Sequence, residues 1–401
     1  MKKRIFITAM GAISAIGENP NEHIASLRAG KSGIGWVDYL TTVHRRDFPF
    51  GEIKSSNAHL AERLKLAAGE YSRTALLGLW SVKQLLDNAQ LIPDERTGLI
   101  SATTVGGMDQ TEHYLNDYLQ GKHLELARQH PLGYSTEFIA RQLKFKSYRT
   151  TLSTACSSSA NAFILGSRLI RSNMLDRVVV GGVDALSAFT LNGFNSLMIL
   201  DKQVCKPFDA HRQGLNLGEA SAYLLLESEE SLNNSNRRAL AELSGFSNAN
   251  DAYHQTASSP EGNGAFSAMS MALKEAHLQI EDIQYINAHG TGTTNNDLSE
   301  GRALECLLQG KDIPFSSTKS FTGHTLGAAG AIEAVIAVLC LQNNFIPASL
   351  NHTTAMPELG IEPLKNNKEN IPLKHILSNS FGFGGNNSSL VLSSVKSTYE
   401  D

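Results

Sequence analysis

Short apolar runs bounded by glycine recur along this chain, at residues 5–10, 98–104, 178–182, 222–227, 241–246, 285–288, 376–380 and 388–392. Several are near-continuous instead of alternating, which predicts strands buried on both faces. Between them apolar positions fall at helical spacing over 61–88, 158–172, 264–276, 297–308 and 327–343. Strands alternating with helices predict an α/β fold in which helices cover sheets. Because no long Pro- or Ser-rich linker interrupts the pattern, one compact body is expected. Each half has the same outline: a first strand, a long helix, a strand leading to a polar loop, a Gly- or Ser-lined helix and closing strands. The seam is expected near residue 240, dividing 1–240 from 241–401.

Composition narrows the class. Of 401 residues, 41% are hydrophobic and 18% charged, enough for a large core and too apolar for wholesale disorder. A net charge of −4 without a run of Lys or Arg argues against nucleic acid as a partner. Cys156, Cys205, Cys306 and Cys340 form no CxxC pair and no His sits at zinc-finger spacing, so no metal site is expected. Scattered thiols suggest a reducing, cytoplasmic setting. Met-Lys-Lys-Arg followed by an apolar stretch to Ile16 imitates a secretion signal. Gly11 and the β-branched Ile5-Phe6-Ile7-Thr8 favour a strand instead. No other stretch reads as a membrane span, and no membrane partner is expected.

Three motifs imitate known sites and fail on context. Gly30-Lys31-Ser32 lacks the first glycine of a phosphate loop, since position 25 is Ala25. Ser316-Ser317-Thr318-Lys319 has no Lys-Thr-Gly partner. Gly382-Phe383-Gly384-Gly385 lacks the third glycine and following helix of a dinucleotide loop.

Four other segments carry candidate chemistry. In Thr151-Leu-Ser-Thr-Ala-Cys156-Ser-Ser-Ser-Ala160 a cysteine stands where a strand-like run gives way to a helix of small residues. A thiol at a helix start meets unpaired N–H groups and the positive end of the helix dipole, which favours reactive thiolate; the alternative is a buried core cysteine. Asn287-Ala288-His289-Gly290-Thr291-Gly292-Thr293 places a histidine at a strand's end, between glycines that allow close approach, with hydroxyls for a bound polar chain. A structural histidine in a tight turn is the alternative. His324 opens a Gly- and Ala-rich helix carrying Glu333, which faces inward if Val335 and Leu339 do not. Lys319 just upstream is its candidate partner; a solvated surface Glu is the alternative. Asn379-Ser-Phe381-Gly-Phe383-Gly-Gly385-Asn-Asn387 is a loop able to aim a backbone N–H at an oxyanion or to swing an aromatic gate; an ordinary turn is the alternative.

In this order the four segments resemble the β-ketoacyl-acyl-carrier-protein synthases of the Cys-His-His class, condensing enzymes of the thiolase superfamily. Lys206-Pro-Phe-Asp209, Gly214-x-x-x-Gly218-Glu219, Val179-Val-Gly-Gly182 and Ile7-Thr-Ala-Met-Gly11 extend the match over nearly the whole chain. The resemblance implies a duplicated five-layered αβαβα fold and an acyltransferase with no permanently bound cofactor. Its substrates are implied to ride on the phosphopantetheine of acyl carrier protein. It implies Cys156 as acyl acceptor, with its own N–H and that of Phe383 as the oxyanion hole. His289 and His324 are implied to promote malonyl decarboxylation and hold the enolate, with Lys319 and Glu333 as supporting pair. Asp297 and Glu300 match acidic positions that shape the site and can hold a cation. Phe194 and Phe383 match acyl-pocket and gating positions, while Thr291, Thr293 and Phe381 complete the expected substrate contacts. A homodimer, or a heterodimer with a related subunit, is implied, and Arg63 and Lys65 are candidates for carrier docking.

Ala9, Leu215-Asn216 and Ala220-Ser221 depart from the usual residues of fatty-acid elongation enzymes, and the run Gly290 to Asp297 is shared with polyketide and aryl-polyene synthases. The departures leave the pathway open between those classes. Two rivals remain: a thiolase, which needs a second active cysteine near the C-terminus, and a chain-length-factor subunit, which lacks the nucleophile.

Overall fold

Valine, leucine and isoleucine crowd both faces of the predicted strands. In the structure, a computed structural model describing residues 3–395, those strands form one 10-stranded sheet. The strands are β1 (Ile5–Ser14), β2 (Thr97–Ala102), β3 (Arg149–Leu152), β4 (Arg177–Asp184), β5 (Ala220–Ser228), β6 (Ala241–Asn250), β7 (Tyr285–Asn287), β8 (Phe315–Ser316), β9 (Phe345–Ile346), β10 (Lys368–Glu369), β11 (His375–Gly382) and β12 (Asn386–Ser393). Their order is β3-β2-β4-β5-β1-β6-β12-β11-β7-β8, with β9 and β10 forming a separate ribbon. The two ends of that order match. β3, β2 and β4 run parallel, then β5 and β1 antiparallel; β8, β7 and β11 run parallel, then β12 and β6 antiparallel. The two sets meet where Phe6 and Ile7 of β1 pair with Glu242 and Ala241 of β6.

Burial on both faces explains the apolar runs. Val178 and Val180 of β4 join a central cluster with Phe163 and Ile332, whereas Val179 joins an outer cluster with Leu76 and Ile139. Helices Arg73–Ala89 and Gly133–Gln142 form one outer layer, and Asn263–Ala276 and Thr294–Leu308 the other. Between the two sheet halves lie Ser158–Arg171 and Ala329–Asn343, which completes five layers. Val335, Leu339 and Glu333 are all buried, and so is every residue of the last helix from Ala329 to Leu341. The segment Leu326–Asn343 is apolar and long enough to cross a membrane, yet 89% of it is buried inside the molecule.

Small residues let the central helices approach. A Cβ on Gly330 would lie 3.0 Å from the Ala160 nitrogen, and Ala331 N–H donates to Ser159 Oγ at 2.9 Å. At the apolar N-terminus Ile5–Ser14 is a fully buried strand near the middle of the sheet; Met1 and Lys2 lie outside the described residues. The helix expected over 61–88 is two helices, Asn57–Arg63 and Arg73–Ala89. The first stops because Lys65 turns left-handed (φ 56), and Ser72 caps the second.

That second helix opens with a buried ion pair. Arg73 grips Glu219 through Nε–H···Oε2 at 2.8 Å and Nη2–H···Oε1 at 2.6 Å. Glu219 also accepts the N–H groups of Ile53 and Leu186, tying both to the strand entrance of β5. Arg73→Met strands a carboxylate in the core and is expected to lower unfolding free energy by about 3–5 kcal/mol, read from urea denaturation. A loss below about 1 kcal/mol would show that the pair is not structurally required.

Candidate active site

The turn that carries Cys156 is tight. Ala155 adopts a left-handed backbone (φ 51), and Ser158 begins the central helix two residues beyond the cysteine. Ser158 Oγ accepts the Thr154 N–H at 2.8 Å and closes the turn. Cys156 is buried, and the backbone N–H groups of Phe383 and of Cys156 itself lie close enough to its sulfur to favour negative charge there. Two N–H groups thus converge on the nucleophilic atom. Burial opposes the thiolate expected from the helix start. Burial pushes the thiol up to about 11, and Lys319 and the two N–H groups only partly oppose this. Desolvation here outweighs the helix start, so the resting group is a thiol.

His289 stands just beyond β7. Glu300 accepts the N–H groups of His289 and Gly290, both at 2.8 Å, and Asn379 Nδ2–H at 3.2 Å. Asp297 accepts those of Thr291, Gly292 and Phe208 at 3.0, 3.1 and 2.7 Å. Both carboxylates therefore shape the backbone around His289. Among the described residues no group of three or more His, Cys, Asp or Glu is disposed to bind a metal. Thr291 and Thr293 face each other at 2.9 Å between their hydroxyls.

His324 is placed by a crossing segment. Its N–H donates to Asn216 O at 2.7 Å, and its carbonyl accepts Gly218 N–H at 3.0 Å. Gly218 is required there because a Cβ would lie 2.2 Å from Thr322 O. Beyond it, Asp184 at the end of β4 accepts Gly327 N–H at 2.7 Å and the Thr103 and Thr104 hydroxyls at 2.6 Å each. Sequence reasoning missed Asp184, although the run Val179–Gly182 pointed to the strand that carries it. It treated Asn216 only as a departure.

Lys319 organises both imidazoles. Buried to 2% exposure, it pairs with Glu333 and donates to His289 O at 2.5 Å and to His289 Nδ1 at 3.2 Å. An ammonium can only donate, so His289 Nδ1 accepts and Nε2 carries the hydrogen. Leu326 N–H donates to His324 Nδ1 at 3.2 Å, which fixes the same tautomer there. Burial, aided by the Lys319 charge, holds both histidines well below their ordinary value, so both are neutral near pH 7. Their rings meet edge to face with centroids 5.3 Å apart.

Cys156, His289, His324, Thr291, Thr293, Phe194, Phe381 and Phe383 line one cavity of about 280 Å³. Phe194 and Phe383 stack at 5.9 Å and 17°. Lys319 and Glu333 stand behind this wall. Arg63 pairs with Glu18 and lies over Trp80 at 4.4 Å, while Lys65 shapes the turn after it; neither lines the cavity.

A buried cysteine under two N–H donors, facing two neutral histidines in a doubled five-layer fold, defines a thiolase-fold condensing enzyme. Residues 2–231 match the family described as Beta-ketoacyl synthase, N-terminal domain, and residues 240–353 its C-terminal domain. The chain belongs to the beta-ketoacyl synthase family and is an acyltransferase of that family. It is 29% identical over 418 residues to 3-oxoacyl-[acyl-carrier-protein] synthase 2 of Staphylococcus aureus strain COL, covering 97% of this chain and 98% of that one. Identity to the Synechocystis protein of the same description is 31% over 407 residues, covering 97% of each. Among solved structures, a ketosynthase (ApeO) in complex with its chain length factor (ApeC) from Xenorhabdus doucetiae aligns with TM-score 0.83, 34% identity and 98% coverage of both chains. The ishigamide ketosynthase/chain length factor aligns with TM-score 0.92 and 29% identity, over 98% of this chain and 100% of that one.

The high thiol value is open to measurement. Alkylation of Cys156 by iodoacetamide, followed by peptide mass spectrometry, is expected to quicken through pH 9 toward about 11. In Lys319→Met the cation that favours thiolate is gone, and the curve moves to higher pH. A rate that levels off by pH 7 would mean that the thiolate is preformed.

Proposed function

We propose that this chain catalyses decarboxylative Claisen condensation, joining an acyl group held on Cys156 to a malonyl unit on acyl carrier protein. The product is a β-ketoacyl-acyl carrier protein of fatty-acid or polyketide-type biosynthesis. One observation carries the reading: the Cys156 sulfur, two N–H donors and two neutral imidazoles face a single cavity.

In the first half-reaction Cys156 attacks the carrier thioester, and the N–H groups of Cys156 and Phe383 hold the oxyanion. The sulfur–carbon bond to the carrier breaks, and the proton lost by Cys156 ends on the departing carrier thiol. Neither histidine offers a free lone pair to take that proton, because each Nδ1 already accepts a hydrogen bond. In the second, malonyl-carrier loses CO₂ while the Nε2–H groups of His289 and His324 hold the enolate oxygen. The enolate carbon then attacks the acyl carbonyl, the carbon–sulfur bond to Cys156 breaks, and the released thiolate takes a proton from solvent, the one proton that the condensation consumes. Each donor is worth roughly 3 kcal/mol of barrier. Thr291 and Thr293 offer hydroxyls to the phosphopantetheine arm, and Phe194 and Phe383 bound the acyl chain. No bound cofactor enters these steps, and four free thiols fit a reducing cytoplasm.

The rivals fit less well. A thiolase needs a second reactive cysteine, but Cys205 and Cys340 are buried outside the cavity and Cys306 is an exposed helix residue. A non-catalytic chain-length factor would not keep Cys156. Pairing with such a factor stands beside a homodimer as a partner arrangement, supported by the 34% identity to a chain of the ketosynthase and chain length factor complex.

Incubation with an acyl-carrier thioester is expected to add one acyl mass, lost in Cys156→Ala; an adduct mapped to another cysteine would sink the assignment. His324→Ala is expected to load Cys156 normally yet decarboxylate malonyl-carrier ~100-fold more slowly. Equal loss of both half-reactions would instead mean a collapsed site. Phe194→Ala opens the wall that stacks on Phe383, and product mass spectrometry is expected to show longer chains. Unchanged lengths in a variant with unaltered melting temperature would place the tunnel end elsewhere.

A further inference from the structure

Outside the catalytic groups, one polar cluster bridges the two loops that supply the oxyanion donors. Asn386 Oδ1, three residues beyond Phe383, accepts the Ser157 hydroxyl at 2.7 Å, Asn161 Nδ2–H at 3.0 Å and Asn248 Nδ2–H at 2.7 Å. Ser157 is the residue after Cys156, and its hydroxyl also lies 2.8 Å from Thr154 O within the same turn. Asn161 Nδ2–H reaches Thr154 Oγ1 at 2.8 Å, and Asn161 Oδ1 accepts from Asn248 and Ser388, both at 3.0 Å. The loops also touch directly, since a Cβ on Gly382 would lie 3.1 Å from Cys156 N.

We infer that Asn386 is a positioning residue whose side-chain oxygen sets the separation of the Cys156 and Phe383 N–H groups. The inference rests on the condensation proposed above. The two donors come from segments more than 200 residues apart, one before the first central helix and one in the hairpin between β11 and β12. No strand pairing joins those two loops. Three donors on one carboxamide oxygen, all from the nucleophile's side or from β6, supply the link that the sheet does not. Oxyanion donors act only when held where the charge will form, and displacements of an ångström cost orders of magnitude in rate.

The role predicts a split between half-reactions. Acyl transfer to Cys156 uses the two N–H groups, while malonyl decarboxylation uses the two histidines, whose supports Lys319, Glu300 and Asn216 do not bond Asn386. Asn386→Ala is expected to slow acylation of Cys156, followed by quenched intact-mass measurement, by roughly 10- to 100-fold. The KM for acyl-carrier is expected to hold, and CO₂ release from malonyl-carrier to change less than about threefold on the same ground. Asn386→Asp keeps the accepting oxygen and is expected to restore most of the acylation rate. Ser157→Ala removes one of the three bonds and is expected to shift the same half-reaction in the same direction, which keeps the test decisive if Asn386→Ala is poorly folded. Equal slowing of both half-reactions, unaltered acylation, or failure of Asn386→Asp to rescue would overturn the inference. A wild-type enzyme that acquires no acyl mass would instead overturn the condensation on which it rests.

Discussion

A lysine ammonium sealed in the protein interior constrains everything around it. Lys319 reaches no solvent, so its charge is held by Glu333 and by the carbonyl and Nδ1 of His289. A buried pair of this kind costs more in desolvation than it returns unless further hydrogen bonds complete it. The return here is chemical. The same ammonium fixes the His289 tautomer, helps keep both imidazoles neutral and lowers the cost of negative charge on Cys156. Glu333 is in turn pushed upward by burial despite its partner, which shows how strongly this interior opposes isolated charge. The central helix that carries Glu333 is apolar on every side because it supplies the low-dielectric wall that gives these interactions their strength.

That wall also explains the thiol. A helix start favours thiolate when solvent can reach it, but Cys156 is closed off, and desolvation dominates. The site gains from this: a thiol gives up its proton only as the sulfur–carbon bond forms and a carrier thiolate departs. In the condensation proposed above, negative charge would pass between places that have donors, first the oxyanion pair and afterwards the two Nε2–H groups. Because both histidines are fixed as donors, the site stabilises oxyanions and enolates without cycling a proton through imidazole.

What the sequence made legible follows from how local each signal is. Strand runs such as 178–182 were readable because burial on both faces forces apolar residues at consecutive positions. The Cys156, His289, His324 and Phe383 segments were readable because small residues must surround a reacting atom. The break at residues 64–72 was not, since apolar residues such as Leu64, Leu66 and Ala67 continue across the left-handed turn at Lys65. The thiol's burial depends on layers assembled from distant segments, and no local pattern carries it. The roles of Asp184, Asn216 and Asn386 escaped for the same reason: each acts on a residue more than 100 positions away, even where, as for Asn386, the surrounding segment had been singled out.

The doubled topology accounts for why those distant pieces meet. Strands β3 and β8 hold corresponding places in the two ends of the sheet, and each leads into a central helix. Cys156 lies in the first of these connections and His324 in the second. His289 follows β7, whose counterpart β2 leads to Thr103 and Thr104, and these anchor Asp184 beneath the His324 turn. Phe194 and Phe383 belong to the connections β4–β5 and β11–β12, which also correspond, and their rings stack across the cavity. Each half thus presents the same three loops at the same edge, and the central helices, packed at glycine and alanine contact, bring the two edges face to face. One half brings Cys156 and Phe194 to the cavity; the other brings His289, His324 and Phe383. A fold that sets two like edges together creates a cavity with a separate supply of residues on each side. That lets a covalent acyl carrier and an enolate-stabilising pair share about 280 Å³ without sharing a backbone segment.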